Sequence, residues 1–175
     1  MVSVKTKLEL IDAITGLMAT VGDRLGNGGE GDAERDFMAA GCPQRLQPLV
    51  RTLPTSSMHL LAEIAEGPVS VVGLAARSGR LKGTVSKHVQ RLVEAGLVAR
   101  TPVPGNRKEI ELALTEDGEL VADLHRKLHE EMDRGTRDFL LRYSGTDLQV
   151  LVKVLGDLAG AHKDGVRLVP PTDLP

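Results

Sequence analysis

"LKGTVSKHVQRLVEAGLVARTPVPGNRKEIELALTEDG", residues 81–118, changes its hydrophobic period halfway along, and that change decides the fold. In the first half Leu81, Val85, Val89, Leu92 and Val93 recur at helical spacing and are expected to face a core. Lys82, Thr84, Ser86, Lys87, His88 and Arg91 are left on the other faces. In the second half Val98, and later Ile110, Leu112 and Leu114, alternate as strands do, and "PVPGN" between them carries turn chemistry. Just upstream, "SVVGLAARSG", residues 70–79, is a second short helical pattern, joined to the first by a turn around Ser78 and Gly79. Two short helices with a glycine-containing turn, followed at once by a two-stranded hairpin, describe a winged helix-turn-helix.

Residues 77–108 hold Arg77, Arg80, Lys82, Lys87, Arg91, Arg100, Arg107 and Lys108 against one acid, Glu94. The local charge is about +7 in a 175-residue chain of net charge −2, which leaves about −9 for everything else. A basic island on an acidic body suits a module that binds a polyanion while the body is repelled from it. A helix in the major groove would bring Arg80, Lys82, Thr84, Ser86, Lys87, His88 and Arg91 toward phosphates and base edges. The hairpin tip "PGNRK" would hold Arg107, with Lys108 beside it, over the adjacent minor groove, whose negative potential attracts a guanidinium. Aromatic residues make up only 2% of the chain, so stacking platforms for single strands are lacking and duplex DNA is the expected partner.

Outward from this unit the pattern is helical. Leu8, Ile11, Ile14, Leu17, Met18, Val21 and Leu25 form an apolar stripe that "GNGGEGD" ends. Residues 33–54 predict short helices interrupted by Pro43 and Pro48, and "TSSMHLLAEIAEG", residues 55–67, a helix with Ser or Thr at its cap. Residues 115–143 predict one long helix, bent wherever Gly135 interrupts it. Residues 144–165 predict a final Ser-capped helix, with His162 near its C-terminal end favourable to the dipole, and then a Pro-containing tail. The expected fold is therefore mainly α with a small β wing. It has an N-terminal helical dimerisation segment (1–54), a winged helix-turn-helix (55–115), C-terminal dimerisation helices (116–165) and a tail (166–175). No apolar run approaches the roughly 20 residues that span a bilayer, and the N-terminus has no signal-peptide core, so a cytoplasmic protein is expected.

The run from "TSSMHLLAEIAEG" through "LALTEDGELV" resembles the MarR family of winged-helix transcription regulators, with "TVSKHVQRLVEAGLV" and "LALTEDG" as its most specific stretches. The resemblance covers roughly residues 55–165 and implies a homodimer, its first and last helices interlocked, that presents two recognition helices to a pseudo-palindromic duplex operator. A partner chain would also cover the apolar N-terminal stripe. One departure stands out: the family's wing commonly has an Asp two residues before the tip arginine, and this chain has Gly105 there.

Regulators of this family commonly respond to an effector, and the histidines are where to seek one. In "HRKLH", His125 and His129 lie at i and i+4, the arrangement by which a helix offers two imidazoles to one metal, though two half-exposed histidines on a charged helix fit the same spacing. His59 lies on the helix before the DNA-reading pair, and Cys42 just before that. Histidine and cysteine are ligands that zinc prefers. Resemblance to the zinc-sensing branch of the family implies a metal site from His59, His125 and His129. Its N-terminal ligand there is a carboxylate, for which Cys42 is the nearest counterpart here and Glu30, Glu34 and Asp36 the substitutes. Glu63, one turn beyond His59, could orient that imidazole.

Other readings stay open. The effector could be a small aromatic or organic anion held between the lobes, although aromatic side chains are few. Cys42, the only cysteine and so without an intrachain disulfide partner, could be a peroxide-sensing thiol. A hydrolytic zinc site would need a general base beside an open position, and no HExxH-like motif occurs, so no enzyme is expected. An interaction module without DNA would leave the basic island unexplained.

Overall fold

A computed structural model of the chain describes residues 6–26, 33–103, 106–164 and 167–169. Its centre is a helix-turn-helix. Helix α5 (Val71–Ser78) is capped by Ser70, whose Oγ accepts from the Gly73 amide, and ends at Gly79 in the left-handed region at φ 63°. Only glycine enters that region without strain, so the chain can turn there into α6 (Lys82–Glu94). Val85, Val89 and Leu92 of α6 are fully buried against Leu60, Leu61 and Ile64 of α4 (Thr55–Ala65) and Leu74 of α5. Gly96, at φ 71°, then turns the chain into strand β1 (Val98–Val103).

Strand β1 pairs antiparallel with β2 (Asn106–Leu114), Val98 opposite Leu114, with an irregularity between Pro102 and Val103. Val69 adds a one-residue bridge to Leu112, exchanging backbone hydrogen bonds of 2.8 and 3.2 Å, and so fastens the wing to the start of the helix-turn-helix. The segment "LALTEDG" makes the next joint. Thr115 donates from Oγ1 to the Gly96 carbonyl and accepts from the Gly118 amide, which caps α7 (Glu116–Leu140). A Cβ on Gly118 would stand 1.9 Å from the Leu97 carbonyl oxygen, so this close crossing requires glycine.

Before the core unit run α1 (Lys7–Gly26), α2 (Ala33–Ala40) and α3 (Gln47–Thr52), with Pro48 in the first turn of α3 rather than breaking it. After α7 comes α8 (Gly145–Gly160), whose Ser144 and Asp147 form a reciprocal capping box. The chain divides into two compact units, Met1–Leu128 and His129–Pro175. Helix α7 continues past Gly135. Among the described residues no helix is long and apolar enough to cross a membrane.

Four expectations are corrected. Helix α4 takes Pro54 as its N-cap, and the hydroxyls of Ser56 and Ser57 serve a different contact. Leu81 is 81% exposed, because it is the extended N-cap of α6 and lies outside the helical register that buries Val85 and Val89. Helix α8 stops at Gly160, so His162 lies not in a helix but in strand β3 (His162–Asp164). That strand pairs with β4 (Arg167–Val169), within what reads as a tail.

Candidate functional site

The exposed side of α6 carries Lys82, Thr84, Lys87 and Arg91, with Ser86 half-buried. Its opposite side is locked into the core by Val85, Val89 and Leu92, so these polar groups share a surface by necessity of the helical period. The wing is tied to the same helix: Arg100 of β1 donates to Gln90, which in turn donates to Glu94. Arg107 and Lys108 belong to β2, but their side chains, like Pro104 and Gly105 at the wing tip, lie outside the described residues.

Two of the expected DNA contacts turn toward the protein instead. His88 is half-buried, with the Ser57 hydroxyl 2.8 Å from Nδ1 and the Ser56 hydroxyl 3.3 Å from Nε2. Both ring nitrogens are thus taken by α4, which removes the imidazole from base reading. Burial first, then the charges of Arg91 and Arg80, hold its pKa below the usual histidine value. Arg80, also half-buried, donates to the Ser56 carbonyl at 3.2 Å. The N-terminal turn of α4 is therefore fastened to the turn that precedes α6 and to the middle of α6.

The same helix supplies the second constellation. His59 lies two residues beyond Ser57, and its ring meets that of His125 edge-on with centroids 5.3 Å apart. His59, His125 and His129 each offer a ring nitrogen, and these nitrogens all lie within 4.8 Å of one another. His125 is 5% exposed, His59 half-buried and His129 exposed, so the group runs from the core edge to solvent. His125 and His129 are held one turn apart by the unbroken α7. Neutral imidazoles suit zinc and similar metals. The donor set fits such an ion.

The remaining candidates are not brought to the cluster. Cys42 is buried in the core, its Sγ donating to the Pro43 carbonyl at 3.5 Å, and it is absent from the histidine group. Burial pushes its thiol pKa up; Arg45 opposes the rise and Asp117 adds to it. Asp36 is paired with Arg51, Glu34 is exposed, and Glu30 lies outside the described residues. Glu63, half-buried one turn along α4 from His59, has a buried Oε2 with no hydrogen-bond partner. Sequence spacing does not reveal a further feature, a cavity of about 710 Å³ bounded by the end of α4, the Gly67–Pro68 turn, the end of β2 and α7. Its wall includes Arg126, already paired with Asp123.

Residues 52–109 match the family model described as MarR family. YhjH of Bacillus subtilis (strain 168), described as an uncharacterized HTH-type transcriptional regulator, is 27% identical over 107 residues, 61% of each chain. The match thus spans about three-fifths of that relative's length. Among solved structures, the zinc-responsive MarR family member ZitR of Lactococcus lactis superposes with TM-score 0.65 at 18% identity, covering 86% of this chain and 96% of its own. A ZitR mutant in complex with DNA gives TM-score 0.61 at 18% identity, covering 88% and 96%. At that identity the likeness establishes the fold.

Proposed function

From the match of residues 52–109 to the MarR family model, we propose that this chain is a MarR-type, metal-responsive transcription regulator that binds a pseudo-palindromic duplex operator as a homodimer. DNA is met in the cytoplasm by the winged helix-turn-helix of residues 55–115, through Lys82, Thr84, Ser86, Lys87 and Arg91 on α6 and Arg107 and Lys108 on the wing. The effector is zinc or a metal of similar preference. The observation that carries the reading is the meeting of His59, His125 and His129 within 4.8 Å, built from two helices with one member buried. Zinc-responsive ZitR, with the same fold, supports the assignment.

His59, His125 and His129 would hold the ion by neutral ring nitrogens. A zinc ion there would supply a charge centre shared by the helices that carry these three histidines. Glu63 Oε2, buried without a hydrogen-bond partner one turn along α4 from His59, would be the group to steady that ring. Cys42 keeps its place in the core. Helix α4 links sensing to reading, since Ser56 and Ser57 hold His88 of the recognition helix and His59 follows within one turn. An ion that favours one setting of α4 changes DNA affinity, and DNA changes metal affinity by the same factor.

Elemental analysis of the purified chain tests the site. About one zinc per chain is expected for wild type and a large loss for a His59/His125/His129 triple alanine variant; equal content in both removes the metal reading. A second reading has one observation in its favour, the 710 Å³ cavity, whose size suits a small organic effector. An anion there must compete with Asp123 for Arg126, whereas zinc needs no such exchange. The peroxide reading is disfavoured by Cys42's burial and raised pKa, which withhold the reactive thiolate.

A further inference from the structure

Leu81 is the most exposed large apolar side chain among the described residues, at 81%. It is the N-cap of α6, and no side chain caps the helix there. Ser, Thr, Asp or Asn in that place would accept a hydrogen bond from the first turn, so leucine forgoes a bond and exposes apolar surface at once. Two residues on, Gly83 sits in the first turn with open space where a Cβ would stand and without positive φ, so nothing inside the chain demands glycine. Its neighbours in sequence and on the helix, Arg80, Lys82, Lys87 and Arg91, are cationic. A lone leucine among positive charges is a poor landing place for a protein or lipid partner that seeks an apolar patch.

The major groove of DNA answers both features. Phosphates flank it, and the C5-methyl of thymine is the apolar group that its base edges present. The N-terminal residues of a recognition helix are the ones that reach those edges. We propose that Leu81 is a specificity-determining residue that reads thymine methyl groups, with Gly83 giving the first turn of α6 room to approach the bases. Leu81 acts in this way only if the chain binds duplex DNA as proposed above.

Full-length protein is used to select duplexes from a random pool, and each thymine of the selected sequence is then replaced in turn by deoxyuridine, which removes the methyl alone. Wild type is expected to lose about three- to ten-fold in affinity at one or more thymines of each half-site. Leu81→Ala is expected to bind both kinds of duplex alike. Leu81→Ser, which restores a capping oxygen, should show the same indifference while melting no lower than wild type, which separates base reading from helix damage. Equal binding of thymine and deoxyuridine by wild type at every position overturns the assignment and leaves DNA binding intact. Discrimination that survives in both variants overturns it as well. Absence of any duplex binding overturns it together with the function on which it stands.

Discussion

The imidazole of His88 joins two helices through two hydroxyls, and its pKa makes that joint sensitive to acid. Its folded value lies below the ordinary 6.5, so the neutral ring is the form the fold prefers. The stability it contributes is therefore fully present above 6.5 and is lost as the pH falls from there through the lowered folded value. Wild type should lose urea resistance between about pH 7.5 and about pH 5 more steeply than His88→Asn, whose side chain does not titrate in this range. His88→Ala should cost about 1–2 kcal/mol near neutral pH, because Ser56 and Ser57 then lose their partner. Every other group is common to both proteins, so the difference between the two slopes isolates this ring. Parallel slopes would sink the claim.

Among the elements, the passage from wing to α7 depends on backbone proximity. Gly118→Ala drives a methyl into the Leu97 carbonyl, 1.9 Å away, and backbone cannot swing aside as a side-chain tip does. A loss of about 1–3 kcal/mol or more is expected, read from the urea midpoint. Gly83→Ala is the counterpart: its Cβ meets open space, and a gain of about 0.5–1 kcal/mol is expected from helix propensity. These two glycines also mark what sequence could and could not say. Residues 70–114 were legible because the period passes from 3.6 to 2 at a glycine, and periodicity reports burial directly. Leu81 departs from its spacing because periodicity carries no sign of where a helix begins, and one residue outside the first turn its rule lapses. Ser56 and Ser57 look like caps in sequence; only the approach of His88 shows where their hydroxyls go. His125 and His129 are neighbours by helix geometry alone, whereas the meeting with His59 depends on tertiary packing and was reached by resemblance. Cys42 shares the ligand chemistry but is held in the core among apolar neighbours.

At the scale of the whole molecule, two surfaces lack cover. On α1, Leu8, Ile11, Ile14, Leu17, Met18 and Val21 are exposed; on α8, Val150, Leu151, Val152, Val154 and Leu155 are exposed. Burial of a leucine or isoleucine is worth roughly 1.5–3 kcal/mol, so stripes of this length are poorly left in water. A second copy of the chain is the proposed cover. Sedimentation at micromolar concentration should then give twice the chain mass of 18.7 kDa. Ile14→Glu with Leu17→Glu places two carboxylates in the stripe and should shift the protein to monomer. The helix-turn-helix packs through Leu60, Leu74, Val85 and Leu92, none of them on α1, so it should stay folded. Duplex binding supplies the functional reading of the same change. Affinity should fall steeply with salt in wild type, because each phosphate contact releases counterions. The monomeric variant, holding one half-site of a pair about 34–36 Å apart, should bind much more weakly and with a shallower salt slope. A wild-type monomer that binds DNA with the same slope as the variant would end the two-subunit reading and leave the stripes to another partner.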